Sequence, residues 1–405
     1  MKVQQRYAID IAILGGGIAG LWSLAVLLRQ GYNAVLFEPF ALGSEQTIAS
    51  QGMIHGGLKY ALAGELNAAS EALVEMPARW LACVHGSGEL DLRGVPVLSE
   101  SLLLWSDGGV RGRLTALLAS KALRGRVERL PREAVPAALA HPQRRGAVYR
   151  LPEPVLDVPA VVERLAELGR GRIFGVAPAL LVESTGVSLQ LPGLTLAPQR
   201  LLLTAGAGNE ALLQGLGAAA PRMQRRPLQQ VLVEHDYPEM LFGHCVGSGA
   251  SPRLTVSSHR SANGRTVWYL GGDLATGASG ESAAGLIERA RRELAALLPW
   301  VDLGAAVWST IALDRAEPMQ AGGDKPDGAF LAPAMGVPGV LVGWPVKLSL
   351  APDLGSKLLM QLNRSGVDPR HPELPAELWT LPAAALATPP WRVTSPASGE
   401  QVRHG

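Results

Sequence analysis

A chain of 405 residues, 47% apolar and 18% charged, can bury a large core and exceeds the usual size of one compact domain, so two interleaved domains are expected. Thirty-seven Lys and Arg nearly balance 35 Asp and Glu, and no basic run is long enough to follow a phosphate backbone, which argues against a nucleic-acid partner. Cys83 and Cys245 lie far apart with no CxxC or Cys/His metal spacing, which argues against a disulfide framework or a metal site and fits a reducing cytoplasm.

The opening stretch MKVQQRYAIDIAILGGG has only a short apolar run that leads straight into glycines, so it reads as a buried strand and not as a signal peptide. No segment reaches the roughly 18 uninterrupted apolar residues of a membrane span, although peripheral membrane contact stays open. Ile9 to Leu14 predict a strand, Gly15-Gly16-Gly17-Ile18-Ala19-Gly20 a turn, and Leu21 to Gln30 a helix that stops at Gly31. A second strand, Asn33 to Phe37, ends at Glu38, about 20 residues past the glycines, where a carboxylate can accept ribose hydroxyls. This is the context of a dinucleotide fingerprint. Gly15 permits the tight turn, Gly17 lets the backbone approach a pyrophosphate, and Gly20 allows close helix–strand packing. The helix start at Ile18 and Ala19 supplies N–H groups and a positive dipole end.

Past Glu38, Gly43 to Tyr60 form a long loop where an alternating strand–helix pattern would normally continue. Helices are predicted over Glu65 to Val84 and Glu281 to Leu298; in the second, Leu286, Ala290, Leu294 and Leu297 share one face. Strands are expected at Ala179–Glu183, Val187–Leu191, Leu201–Leu203, Pro227–His235 and Arg265–Gly271, with Asn263-Gly264 as a hairpin signal. Gly339 to Pro352 read as a strand, a loop and the start of a helix. From about residue 366 the chain is rich in Pro and small residues, including Pro389-Pro390-Trp391, and is expected to be an extended surface arm or a partly disordered tail.

Three blocks carry a family resemblance. Ser50-Gln51-Gly52-Met53-Ile54-His55-Gly56-Gly57-Leu58-Lys59-Tyr60 resembles the loop of FAD-dependent glycerol-3-phosphate dehydrogenases, and equally that of L-2-hydroxyglutarate oxidases and dehydrogenases, both of the D-amino-acid oxidase superfamily. Leu201 to Gly208 resembles the family's strand and small-residue turn against the adenosine and pyrophosphate, and Gly339 to Pro352 its C-terminal flavin contact. The resemblance implies non-covalent FAD, held by Gly15, Gly17, Ile18, Ala19, Gly20, Glu38, Ser50, Gly52, Ile54, His55, Val176, Ala205, Gly206, Gly343, Pro345, Lys347 and Leu348. A helix start after Pro345 would stabilise negative charge on the flavin.

It further implies a fold that is α/β, or α+β taken as a whole: a discontinuous Rossmann-type FAD-binding domain with a second, mostly antiparallel β-sheet substrate domain. The FAD-binding segments are expected at 1–90, 151–222 and 305–365, the substrate segments at 91–150 and 223–304, and the C-terminal arm at 366–405.

Candidate catalytic residues follow from what oxidation of a polar carbon requires: a group for the heteroatom proton and cations for an anionic substrate. His55 is a base or flavin contact, or else a loop imidazole bonded to backbone. Lys59 and Tyr60 match the basic and aromatic pair that faces the active site in the glycerol-phosphate enzymes, which usually carry arginine at the first position; a solvated surface lysine is the alternative. Arg315, in Asp314-Arg315-Ala316-Glu317-Pro318, lies near the family's Arg-Pro element and can grip a carboxylate. Lys347 matches a lysine of the flavin-contact loop. His235, His244 and His259 read as structural. The leading expectation is an FAD-dependent dehydrogenase or oxidase of a small anionic CH–OH substrate, a 2-hydroxy acid or glycerol 3-phosphate type. An amino-acid or secondary-amine oxidase on the same scaffold and a non-catalytic FAD-binding protein are the alternatives. The electron acceptor (oxygen, quinone or protein) leaves no motif.

Overall fold

The computed structural model describes residues 5–57, 68–106, 127–247, 249, 251–276, 280–320, 326, 328–370 and 373–393, with only the backbone described at 68–72. Lys59 and Tyr60 therefore lie outside the described residues, as does the predicted start of the helix at Glu65. Two eight-stranded sheets organise the chain.

The first sheet is built around strand Gln5–Leu14, which pairs in parallel with Ala34–Phe37 on one side and Leu194–Leu203 on the other. Ile173–Phe174 extends it beyond Ala34–Phe37, also in parallel. Strand Leu194–Leu203 serves two neighbours: Leu194 to Leu196 pair with the hairpin Ala179–Glu183/Gly186–Leu191, and Leu201 to Leu203 pair in parallel with Val340–Trp344. The central strands are apolar on both faces because both are packed: Ile11 and Ile13 share one core with helix Ile18–Arg29, while Ile9, Ala12 and Leu14 share another with Leu189, Leu196 and Leu213. Helix Ile18–Arg29 buries every residue from Ile18 to Leu27, and Trp22 rests on Trp80 of helix Ala68–Val84 with ring centroids 4.7 Å apart. Its last turn hands over to Gly31, whose φ of 82° ends it as the sequence predicts.

The second sheet is antiparallel except where Gly243–Val246 pairs in parallel with Leu102–Ser106. Its longest pairing joins Met223–His235 to Val307–Pro318 over twelve positions, from Met223↔Pro318 to Glu234↔Val307. Leu254–Arg260 and Thr266–Gly271 flank the predicted hairpin turn, with Gly264 at φ 78°. One face of this sheet is closed by helix Ala283–Leu297, whose Leu286, Ala290 and Leu294 pack on Val231 and Val233. Ser282 caps that helix through the Gly285 N–H.

Two expectations need revision. Val307–Pro318 belongs to the second sheet along its whole length, so that sheet reaches past the boundary placed at 305. The C-terminal arm is not a loose tail over 373–393: Ala385–Leu386 pairs in parallel with Ala41–Leu42, and Trp391 is only 6% exposed. The physical reason is a receptive surface: His259 offers its ring to the Trp391 indole at 3.8 Å, and burial of so large an aromatic offsets the cost of ordering a Pro-rich segment. Among the described residues no helix is long and apolar enough to cross a membrane.

Candidate active site

Three parallel strands end side by side at Leu14, Leu203 and Trp344, and each runs into small or constrained residues: Gly15, Thr204-Ala205-Gly206 and Pro345. The central strand has Ala34–Phe37 on one side and Leu194–Leu203 on the other, the reversal of winding at which open parallel sheets leave a crevice. A cavity of about 1080 Å³ opens there and reaches across to the second sheet.

The glycines are spaced for a ligand and for close packing, each by its own geometry. A Cβ on Gly15 would lie 2.5 Å from the Ala205 backbone, and one on Gly20 would lie 1.9 Å from the Gly15 carbonyl oxygen, so both positions are closed to side chains by the protein itself. At Gly17 the nearest atom would be Thr47 Oγ1 at 3.2 Å, and the backbone there is ordinary (φ −72°). Gly17 is the N-cap of its helix and has no side chain of its own to cap it, which leaves Gly17 and Ala19 at the cavity wall. The Ile18 N–H donates to Thr47 Oγ1 at 3.0 Å. Glu38 is buried, and its two carboxylate oxygens accept from the Gly16 N–H at 2.7 Å and the Phe40 N–H at 3.0 Å. Each oxygen retains a second acceptor site for a ligand hydroxyl. A glycine cradle, a helix N-terminus whose Gly17 and Ala19 residues border the cavity, and a fixed carboxylate together fit a dinucleotide.

Of the residues singled out in the sequence, Gly15, Gly17, Ile18, Ala19, Glu38, Ser50, His55, Val176, Ala205, Gly206, Arg315, Gly343, Pro345, Lys347 and Leu348 line this one cavity. Three do not. Gly20 is the helix–strand contact described above. Gly52 sits at φ 74° with its carbonyl accepting from the Leu156 N–H at 2.9 Å, and a Cβ there would meet the Leu156 carbonyl. Ile54 is fully buried in the core of the first sheet. From Gln51 to Gly57, alternate residues thus face the cavity and the protein interior.

The opposite wall is the long strand pair of the second sheet. Arg226, Leu228 and Gln230 from one strand, and Leu313, Arg315 and Glu317 from the other, line the cavity at every second position, as one face of a sheet must. Arg226 makes a bidentate ion pair with Glu317, at 2.7 Å from Nε and 2.5 Å from Nη2. Arg315 makes no hydrogen bond within the described residues; burial, and then the Arg226 charge, pull its pKa below the usual guanidinium value. Behind this wall the Tyr269 hydroxyl donates to the Ala49 carbonyl at 2.8 Å or to Gln230 Oε1 at 2.9 Å, and Gln51 Nε2 donates to the Tyr269 carbonyl at 2.7 Å. Burial pushes the Tyr269 pKa up, so its proton stays in place.

His55 projects from the loop into the cavity with its ring about a quarter exposed. Its Nδ1 lies 3.6 Å from Oε2 of Glu153, a fully buried carboxylate, and its ring stacks on His244 at 5.9 Å. Sequence reasoning did not find Thr47, Glu153, Arg226, Gln230, Tyr269 or Glu317. For the residues on the long strand pair a signal existed: Arg226-Pro227-Leu228-Gln229-Gln230 and Leu313-Asp314-Arg315-Ala316-Glu317 put polar groups at strand period on one face.

Residues 10–347 match the sequence profile of the family described as "FAD dependent oxidoreductase". A probable FAD-dependent oxidoreductase of Pseudomonas aeruginosa, PA4991, is 49% identical over 393 residues, covering 96% of this chain and 99% of that protein. Its crystal structure superposes with a TM-score of 0.81 over 96% of this chain and 98% of its own, at 44% identity. An L-alpha-glycerophosphate oxidase from Mycoplasma pneumoniae, solved with FAD bound, has a TM-score of 0.61 at 15% identity, covering 98% of this chain and all of that one. A glycine oxidase from Geobacillus kaustophilus has a TM-score of 0.63 at 17% identity, covering 91% and 100%. These last two show a shared fold.

Proposed function

Because the chain belongs to the family of FAD-dependent oxidoreductases and takes FAD as its cofactor, we propose that it oxidises a small anionic CH–OH compound, of the 2-hydroxy-acid or glycerol 3-phosphate type. The observation that carries this reading is the pairing, in one cavity, of a guanidinium that makes no ion pair among the described residues, Arg315, with a carboxylate-backed imidazole, His55.

The glycine turn, the amides of Gly17 and Ala19, and Glu38 hold the dinucleotide; Val176, Ala205 and Gly206 border it, with Gly343, Pro345 and Lys347 at the third strand end. Bound FAD supplies the acceptor for the hydride that leaves the substrate carbon. The protein supplies the rest. Arg315 fixes the anionic end through charge-assisted hydrogen bonds, and His55 takes the hydroxyl proton as the carbonyl forms. Lys59, Tyr60 and Lys347 are assigned to the substrate and flavin side by resemblance. Cys83 and Cys245 are both buried and neither lines the cavity, which supports non-covalent attachment and a reducing, cytoplasmic setting, with contact at a membrane surface compatible with a quinone acceptor.

The test is an anaerobic titration of the purified yellow protein with 2-hydroxy acids, glycerol phosphate, amino acids and N-methyl amines, reading loss of the visible flavin band. Bleaching by a hydroxy acid or glycerol phosphate is expected. Bleaching by an amine, with ammonia or a primary amine released, overturns the substrate class, and failure of every compound favours a flavoprotein without turnover.

A further inference from the structure

We infer that Glu153 is a positioning residue that sets the tautomer of His55, keeping the proton on Nδ1 so that Nε2 is the basic nitrogen. The inference rests on the reading of His55 as the base.

Glu153 lies in Pro152-Glu153-Pro154, between strand Tyr149–Leu151 of the second sheet and Val155–Leu156. The two prolines fix their own φ, and Pro154 confines Glu153 to extended backbone, so the segment is stiff before any contact is made. It is then zipped to the loop that carries His55. The Leu156 N–H donates to the Gly52 carbonyl at 2.9 Å, the Ile54 N–H to the Pro154 carbonyl at 2.9 Å, and the Gly56 N–H to Glu153 Oε1 at 2.7 Å. Backbone bonds on both sides of His55 therefore fix where the carboxylate stands relative to the ring.

That carboxylate is fully buried, and its second oxygen, Oε2, has no hydrogen-bond partner among the described residues. Its neighbour is His55 Nδ1 at 3.6 Å. A buried anionic oxygen with no donor is costly, on the order of 1–3 kcal/mol or more, and a small rotation of the imidazole closes the gap; such contacts commonly tighten when substrate binds. On the other side His244, held through Nδ1 by Thr255 Oγ1 at 2.8 Å, limits how far the ring can tilt. An imidazole that donates from Nδ1 to a carboxylate has its lone pair on Nε2, and the carboxylate offsets the positive charge that forms when Nε2 takes a proton.

The isosteric Glu153→Gln variant separates this role from a purely structural one. Its side-chain oxygen still accepts from the Gly56 N–H, which leaves the NH₂ group facing Nδ1. Nδ1 must then accept, and Nε2 carries the hydrogen. The experiment is nitrogen NMR of the FAD-loaded protein labelled at its imidazoles, with His55 assigned by comparison with His55→Gln. In the wild type, Nδ1 of neutral His55 should be the protonated nitrogen; a wild type protonated at Nε2 overturns the inference without any variant. In Glu153→Gln the two signals should exchange while flavin content and melting curve hold, and flavin reduction should slow by about a hundred-fold or more with KM little changed, in the direction of the ~10⁴ loss for Asp to Asn in serine-protease triads. Unchanged signals in the variant refute the inference. Exchanged signals with no effect on flavin reduction would uphold the dyad and instead overturn the reading of His55 as the base.

Discussion

Arg226 and Arg315 stand directly opposite each other in the antiparallel pair that forms one wall of the cavity, and among the described residues only the first has a carboxylate ion-pair partner. Glu317 is two residues from Arg315 on the same strand, yet its two oxygens are taken by Arg226 from across the sheet. The arrangement splits two like residues into a structural cation and a ligand-ready one.

Opposite stability effects are expected from the two alanine variants. Arg226→Ala leaves Glu317, 2% exposed, as a buried unpaired charge and should lower unfolding free energy by about 3 kcal/mol. Arg315→Ala removes a desolvated cation facing another cation, so urea unfolding should show unchanged or raised stability. Substrate binding should nonetheless weaken about a hundred-fold, the worth of two charge-assisted hydrogen bonds. A large loss of stability in Arg315→Ala would contradict the assignment.

The glycine turn separates in the same way. Gly20→Ala drives a methyl group into the Gly15 carbonyl and should prevent proper folding or lower the melting temperature sharply. Gly17→Ala meets only Thr47 Oγ1 at 3.2 Å in ordinary backbone. It should fold and lose FAD affinity by roughly ten-fold or more, because a methyl group now stands where the pyrophosphate approaches. Flavin fluorescence released on dilution measures both.

Acid should destabilise the fold in a defined window. Burial, followed by the Arg265 charge, lowers the His235 pKa to about 4, and burial lowers that of His259 to about 3, against roughly 6.5 for a free imidazole. Below about pH 6.5 the unfolded chain binds two protons that the folded one refuses, so stability falls as pH drops from 6.5 through 4 towards 3. Denaturant midpoints across that range should show the loss. In His259→Gln, which has one such group fewer, the slope should be about half as steep.

Much of the dinucleotide half was legible because its signals are local. Strand, glycines, helix and Glu38 lie within one short stretch, and each residue has its reason in the turn it makes. The loop from Ser50 to Gly57 was legible only as a unit, since strand-like alternation sends His55 to the cavity and Ile54 to the core, and nothing in its composition marks which is which. Glu153 was out of reach: it is 97 positions from Gly56, and a glutamate between two prolines reads as an exposed turn until the partner loop is known. For the C-terminal arm the sequence left an extended arm and a partly disordered tail side by side, for a related reason. Pro-rich composition sets the entropy of a segment but says nothing of a waiting aromatic surface.

Trp391 offers the check on that arm. Its indole covers His259 and lies 5.9 Å from Tyr269, whose hydroxyl bonds the cavity loop at Ala49. Trp391→Ala should cost about 3 kcal/mol in urea unfolding and also weaken flavin retention, because Tyr269 loses its backing. Destabilisation with FAD affinity untouched would confine the arm to a stability role.

The order in which the first sheet's strands occur along the chain has a consequence for biosynthesis. Strand Gln5–Leu14 can meet Ala34–Phe37 early, but its other neighbour ends at Leu203 and the third strand end at the cavity is Trp344. On the ribosome the fingerprint therefore emerges first and its binding site last. The glycine turn waits with one flank unpaired until Leu194–Leu203 has been made, and its site is complete only after Val340–Trp344 follows. Scarce flavin would thus be felt late, by chains that already carry all three strand ends but are not yet closed around a cofactor.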